Sequence, residues 1–317
     1  MARPTPGTRG KRVLRAAARA IFPAILALCI AADAQQTGPT RPPAKDQARK
    51  KDSQIRVQVD LILVPVTVMD PYGRLVTGLE KDNFRIFENG VEQEIQHISS
   101  EDAPISAGVI FDMSGSMSVQ IDLAQVAATQ FLKDANLQDE IFLVTFNDRV
   151  REVMGFATKV QGLQRNVMFV QARGRTALLD AIYLGLNMMR EAHNPRRALL
   201  VISDGEDNNS RYSERDVEHV LREADVQFYS LGSSPAGAWL MLKLSEQTGG
   251  RLFGLFGIGS TVERIMMELR NQYVLAYRSS NRTADGKWRK IRVDLRAPRG
   301  LPPLHVFARR GYYAPGR

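Results

Sequence analysis

The sequence predicts an α/β protein: a doubly wound, mostly parallel six-stranded sheet with one antiparallel edge strand, plus a small β module from the flanking segments. Three observations predict it. Between about residues 101 and 272, short apolar runs alternate with helical stretches, the rhythm of a parallel sheet covered on both faces. Within that region only Asn147–Val150 separates Ile141–Phe146 from Arg151–Phe156. A parallel neighbour needs a crossover of a dozen residues or more, so those two strands run antiparallel. On both sides the rhythm changes to two-residue alternation and turns, the mark of β structure.

The N-terminus comes first. Residues 1–34 read as a secretory signal peptide: a basic start, the apolar run Ala20–Ala32, then Ala32-Asp33-Ala34 as a cleavage site before Gln35. The run is too short for a stable membrane span, which needs ~20 residues. Residues 35–54 are polar and contain prolines, and read as a flexible linker. The net charge of +9 is concentrated in these two segments and leaves 55–317 close to neutral. A basic tail of this kind is a solvated segment, so nucleic acid is not the expected partner. Cys29, the only cysteine, lies within the signal, so the mature chain would have no disulfide, thiol chemistry or cysteine zinc site. The expected location is exported, periplasmic or secreted.

Residues 55–100 read as an N-terminal β module. Val57, Val59, Leu61 and Leu63, then Val64, Val66 and Val68, alternate as a strand, with Pro65 pointing to an edge or a bulge. Asp70-Pro71-Tyr72-Gly73 is a turn, and Asn89-Gly90 closes a hairpin. In the α/β domain, expected over 101–272, the strands are Ala107–Phe111, Ile141–Phe146, Arg151–Phe156, Ala198–Ile202, Val226–Leu231 and Arg251–Phe256. The helices are 118–134, with Val119, Leu123, Val126 and Phe131 at helical spacing, then a buried Ala177–Glu191, Ser213–Ala224, Trp239–Gln247 and Thr261–Asn271. A C-terminal β segment, 273–317, adds Tyr273–Tyr277, Trp288–Leu295 and Leu304–Arg309. Neither flank is large enough to bury a stable face alone, so the two are expected to pack together or to extend the sheet.

Three separated pieces carry chemistry. Asp112-Met-Ser114-Gly-Ser116 follows the first strand of the α/β domain, Thr176 opens the buried helix, and Asp204-Gly205 follows Ala198–Ile202. In open α/β sheets, sites form beyond the carboxyl ends of strands where the winding reverses. Side by side there, Asp112 and Asp204 would converge, and Ser114, Ser116 and Thr176 add only oxygens. Hard oxygen donors select Mg²⁺, with Mn²⁺ or Ca²⁺ as the alternatives, over zinc or copper.

In order and context, Asp112-x-Ser114-x-Ser116, Thr176 and Asp204-Gly205 resemble the metal-ion-dependent adhesion site of von Willebrand factor type A (VWFA) domains, over about residues 105–272. The flanks, with Val57–Val66, Trp288–Val293 and Ala308–Pro315, look like exported VWFA-related proteins typical of acidobacteria. The resemblance implies a Mg²⁺ with an open position that the Asp or Glu of a protein ligand fills. It implies a binding or adhesion module, with a structural or assembly subunit of a cell-envelope complex as the alternative.

Plainer readings stand beside these. Asp112 and Ser114 could cap the following helix, and Asp204-Gly205 could be an ordinary turn. Glu206–Asn209 reads as a surface loop beside the site, with contact to the partner or tuning of the metal as the alternative, and Asp180 as a residue that orients the Thr176 loop. An enzyme is not expected. His97, His193, His219 and His305 are scattered, and no nucleophile elbow or P-loop occurs. A metal-assisted hydrolase would also lack a general base.

Overall fold

The computed structural model describes residues 61–316 apart from 159–162, 233–234 and 256. The signal peptide over 1–34, the linker over 35–54 and the strand residues before Leu61 lie outside the described residues. Among the described residues no helix is long and apolar enough to cross a membrane.

Four strands come first: β1 (Ile62–Met69), β2 (Phe84–Glu88), β3 (Val91–Gln93) and β4 (Ile95–Ser99). The alternating region holds β5 (Ile105–Asp112), α1 (Ile121–Lys133), β6 (Glu140–Phe146), β7 (Val150–Ala157), α2 (Leu163–Met168) and α3 (Leu178–Met188). It continues with β8 (Arg196–Ile202), α4 (Glu214–Glu223), β9 (Gln227–Leu231), α5 (Pro235–Thr248), β10 (Leu252–Phe253) and α6 (Ile258–Arg270). Then follow β11 (Tyr273–Tyr277), β12 (Trp288–Leu295), β13 (His305–Ala308) and β14 (Gly311–Tyr313).

The alternating region forms one six-stranded sheet, ordered β10-β9-β8-β5-β6-β7. Every neighbouring pair is parallel except β6 with β7, whose short turn leaves no room for a crossover. β5 is buried along its whole length. Its Ala107, Val109 and Phe111 share a core with residues of α1 and α6, and Ile110 shares the opposite core with α3, α4 and α5. The sheet is therefore covered on both faces.

One helix turns the other way from its apolar spacing. Val119, Leu123 and Val126 are exposed, Val119 at 91%, and the buried face of α1 is Ala124, Ala127, Ala128, Phe131 and Leu132. The helix proper starts at Ile121, and Val119 ends a separate 3-10 turn, Gly115–Val119. Alanines line the face that packs on the sheet and carry little periodic signal. The strand expected over Arg251–Phe256 shrinks to β10, which as the sheet edge pairs with β9 alone.

The flanking segments interleave strand by strand. One four-stranded sheet runs β13-β1-β11-β4 and the other β14-β12-β2-β3, so each mixes strands from before and after the α/β region. Val64, Val66, Val68, Phe84, Ile86, Tyr273, Leu275, Tyr277 and Ile291 form one shared core. The α/β region is thus inserted into a β-sandwich, leaving after β4 and returning at β11, and those two strands pair antiparallel. Pro65 does not mark an edge, because β1 has neighbours on both sides. The β13 pairing stops at Val66, one residue short of the proline. The hairpin at Asn89 (φ 48°) and Gly90 (φ 86°) has both central residues left-handed, which its right-twisted strands require.

Buried polar contacts join insertion and sandwich. The Gln272 amide donates to Gln227 Oε1 at 2.6 Å, and the Arg251 guanidinium lies 2.7 Å from Glu268 Oε1 and 2.8 Å from Met69 Sδ. Glu268 is fully buried, and burial pushes its carboxyl up to about 7 although Arg251 pulls the other way. A folded pKa above the unfolded value means that the folded state holds the proton more tightly. The contribution to stability therefore falls as pH rises from about 4.5 through about 7. Glu268→Gln removes this dependence, so relative to the parent it should gain up to about 3 kcal/mol between pH 4.5 and 8. Urea melts at the two pH values test this, and an unchanged difference would rule it out.

Candidate metal centre

The chain winds outward from β5 through β6 and β7 on one side, then crosses to β8, β9 and β10 on the other. The reversal lies between β5 and β8, which run parallel with Phe111 level with Ile202. Asp112 ends β5, and Ser203 and Asp204 follow β8, so both carboxylates emerge at the switch point.

Asp112 is wholly buried. Its Oδ1 accepts from the Ser114 N–H at 2.8 Å and its Oδ2 from the Ser203 hydroxyl at 2.6 Å. Burial pushes its pKa up to about 6; hydrogen bonds from Ser203 and Ser114 oppose this, and the charge of Asp204 adds to it. The Ser203 hydroxyl also accepts from Gly205 N–H at 3.0 Å, and Asp204 Oδ1 accepts from Glu206 N–H at 3.1 Å. Gly205 has φ 83°, and a Cβ there would stand 2.7 Å from the Gly237 carbonyl oxygen in the first turn of α5. Only glycine meets both conditions.

Ser114 stands at the N-cap of the 3-10 turn, but its side chain makes no capping bond there. Its hydroxyl instead lies 3.0 Å from that of Ser116. The N-cap of α1 is Gln120, again without a side-chain cap. Helix capping therefore does not account for Asp112 and Ser114.

Two backbone bonds bring in the third piece: Arg173 N–H donates to the Met113 carbonyl at 2.8 Å and Gly115 N–H to that of Gly174 at 3.0 Å. Thr176 is buried and clamped through its backbone. Its N–H donates to Asn208 Oδ1 at 2.9 Å, and its carbonyl accepts from the N–H groups of Asn208 and Asn209, each at 3.0 Å. Among the described residues the Thr176 hydroxyl has no hydrogen-bond partner. Asp207 Oδ1 and the Ser210 hydroxyl accept from the N–H groups of Leu179 and Asp180 at the start of α3. Asp180 in turn accepts from the N–H groups of Arg211 and Tyr212, and the Tyr212 ring stacks 3.8 Å from Tyr183. Burial raises the Asp180 pKa, but these bonds and Arg211 outweigh it and leave it lowered. Residues 206–212 thus form a fixed saddle over α3 that holds Thr176. Asp180 anchors this saddle and reaches Thr176 only through it.

The sequence places Ser203 and Asn208 beside the site but assigns neither of them a role of its own. Both act on neighbours by hydrogen bonds, and a serine after a strand or an asparagine in a polar loop carries no distinctive pattern. The Asx-rich run Glu206–Asn209 was the one available signal.

The donor set fits a hard divalent cation. Among the described residues no three His, Cys, Asp or Glu side chains gather where they could hold a metal. The five candidates offer two carboxylates and three hydroxyls, a set with no nitrogen or sulfur for zinc or copper.

The family model of the von Willebrand factor type A domain matches residues 109–206, a span that includes all five candidates. The chain carries a von Willebrand factor type A domain. Its VWFA sheet and covering helices extend beyond that span, from β5 to α6. Solved structures similar to the chain include an aerotolerance-related membrane protein from Bacteroides fragilis, at 14% identity over 52% of this chain and 98% of that one, with a TM-score of 0.41. BatB from Bacteroides thetaiotaomicron is 13% identical over 52% and 98%, with a TM-score of 0.42. The PilB minor pilin from Streptococcus sanguinis is 13% identical over 55% and 63%, with a TM-score of 0.43. No curated protein matches the sequence.

Proposed function

We propose that this chain is an exported protein-binding module whose VWFA domain holds a Mg²⁺ and takes a carboxylate from a partner protein. The observation that carries the reading is the meeting of Asp112, Ser114, Ser116 and Asp204 at the switch point, with Thr176 clamped beside them. Asp112 and Asp204 would supply the negative charge, and the three hydroxyls would supply neutral oxygens. When bound, the cation would offer a Lewis-acidic position to an incoming Asp or Glu. Ser203 fixes Asp112 at 2.6 Å, and Asn208 fixes Thr176 at 2.9 Å, so the protein would hold the donors in place before the partner arrives.

Two measurements test this. Mn²⁺ binding followed by electron paramagnetic resonance should give one site per chain, displaced by Mg²⁺ and absent in Asp112→Asn. Crosslinking on intact cells should capture a partner from untreated cells and not after EDTA. Binding that survives both EDTA and Asp112→Asn would defeat the proposal.

Asn208→Ala provides a separate check on the clamp. It removes the acceptor of the Thr176 N–H and should cost about 1–2 kcal/mol of stability. Mn²⁺ affinity should fall at least about tenfold. Unchanged affinity would show that the saddle is irrelevant to the donors.

A further inference from the structure

The rim of the candidate metal crevice carries a cluster of basic side chains. Two segments border it on the β6 side, the β6–β7 turn and the approach to Thr176. Between residues 147–151 and 171–176 they carry Arg149, Arg151, Arg173 and Arg175 against a single acid, Asp148. The two segments are stitched together: Asn147 Nδ2 donates to the Arg173 carbonyl at 3.3 Å, Asp148 Oδ1 accepts from Arg175 N–H at 2.7 Å, and Asn147 O accepts from Ala177 N–H at 2.9 Å. Arg173 N–H is bonded to Met113, the neighbour of Asp112 and Ser114. These arginines are therefore fixed, through their backbones, beside the donors.

All four side chains are exposed, and among the described residues none forms an ion pair. Some exposed arginines elsewhere have a carboxylate, as Arg74 has Asp70, Arg211 has Asp180 and Arg310 has Glu246, and others, such as Arg215 and Arg282, do not; the collar differs in gathering its unpaired guanidinium groups at one rim. The Asp148 carboxylate does not serve this collar. It accepts from backbone, and its oxygens lie where a Gly174 Cβ would stand, 2.4 Å away at the nearest. The guanidinium groups of Arg149, Arg173 and Arg175 thus face outward beside a site that would itself receive an anion. Among the described residues, the one side-chain hydrogen bond these three guanidinium groups make is a 3.5 Å approach of Arg175 to Asn209 Oδ1.

We propose that the partner segment is acidic over several residues: one carboxylate enters the metal position, and its neighbours lie on the collar of Arg149, Arg173 and Arg175. This rests on the metal-binding reading, but it adds an electrostatic component that salt screens and EDTA does not remove.

The test compares two labelled peptides by fluorescence anisotropy with the mature full chain in 1 mM Mg²⁺. One is Gly-Gly-Asp-Gly-Gly and the other has Asp at four of five positions; a ten-nucleotide oligothymidine serves as competitor. In low salt the four-Asp peptide should bind about tenfold more tightly. The preference should nearly vanish in 0.5 M NaCl and in the Arg149→Gln/Arg173→Gln variant, which retains binding of the one-Asp peptide. Equal affinities in the parent, no binding of either peptide, or a preference unchanged in the double variant would each overturn the collar. Displacement of the four-Asp peptide by a lower concentration of oligothymidine would reassign the surface to nucleic acid and overturn it too. The metal reading fails separately. If binding is EDTA-insensitive but its preference still depends on the arginines, the collar stands without the metal. If binding is EDTA-sensitive with no preference, the metal stands without the collar.

Discussion

Asp112→Asn should remain folded and lose the stabilisation that Mg²⁺ gives the parent. At a metal concentration a hundredfold above Kd, the parent should gain about 2.7 kcal/mol, provided the unfolded chain does not bind the ion. For a unit of this size that is a rise in Tm of roughly 5–10 °C. Asparagine is nearly isosteric: its carbonyl oxygen can still accept from Ser114 N–H, and its amide can meet the Ser203 hydroxyl as donor. The metal-free variant should therefore lie within about 1 kcal/mol of the metal-free parent. It lacks one of the two candidate carboxylates, so a bound cation would lose a buried anionic donor. Thermal melts with Mg²⁺ and with EDTA decide it. A variant that keeps the full rise would place the metal elsewhere.

Arg196→Met should be the most destabilising single change outside the hydrophobic cores. Arg196, at the start of β8, is buried, and its guanidinium donates to four backbone carbonyls: Leu269 at 2.8 Å, Gln272 at 3.4 Å, and Arg270 and Glu101. Leu269 and Arg270 end α6, so the positive charge meets the negative end of the helix and its orphan carbonyls. Glu101 and Gln272 lie on the two connections between the α/β insertion and the sandwich. One side chain thus ties a strand, a helix end and both connections. Methionine matches much of its length but donates nothing, and the carbonyls lose their donors in a closed site. The expected cost is about 3–5 kcal/mol, read from the urea midpoint with the slope checked for two-state behaviour. Lysine keeps the charge but not the fork, and should recover only part of the loss. A loss below about 1 kcal/mol would show that water replaces the guanidinium at no cost.

The parts of the fold that were legible beforehand are those written in local pattern. Alternation from Ile105 onward exposed the strands, and the four residues between Ile141–Phe146 and Arg151–Phe156 forced the antiparallel edge. The five candidate donors stood out because their residue types and order are themselves a signature. What failed to show depends on long-range geometry. The pairing of Ile62 with Tyr277, which makes the two flanks one sandwich, spans most of the chain and leaves no periodic trace. The face of α1 was misjudged because alanines do the burying while Val119 and Val126 face solvent. β14, with three residues, is too short for any alternation to appear. Ser203 and Asn208 stood beside the site without an assigned role, because their work is done on the donors and not on a ligand.

The insertion of the VWFA domain has a mechanical consequence. The domain is entered after β4 and left before β11, and these strands are neighbours, so both of its connections reach the sandwich at one place. Tension applied at Leu61 and Gly316 would be borne by the sandwich and would not run across the metal crevice. Within the sandwich, β1 and β13 are antiparallel, with Val66 opposite Ala308 and Met69 opposite His305, so the pulled ends of these strands lie at the same end of the pair. Such a pair opens like a zipper, one rung at a time, and resists far less than strands sheared along their length. The pull at Gly316 reaches β13 only after β14, which pairs with β12 over Gly311–Tyr313, so a stretched chain should yield by losing β14 and then peeling β1 from β13, at low force, while the VWFA domain keeps its shape. The crevice formed by Asp112, Ser114, Ser116, Thr176 and Asp204 would then keep its shape through the first give of the chain.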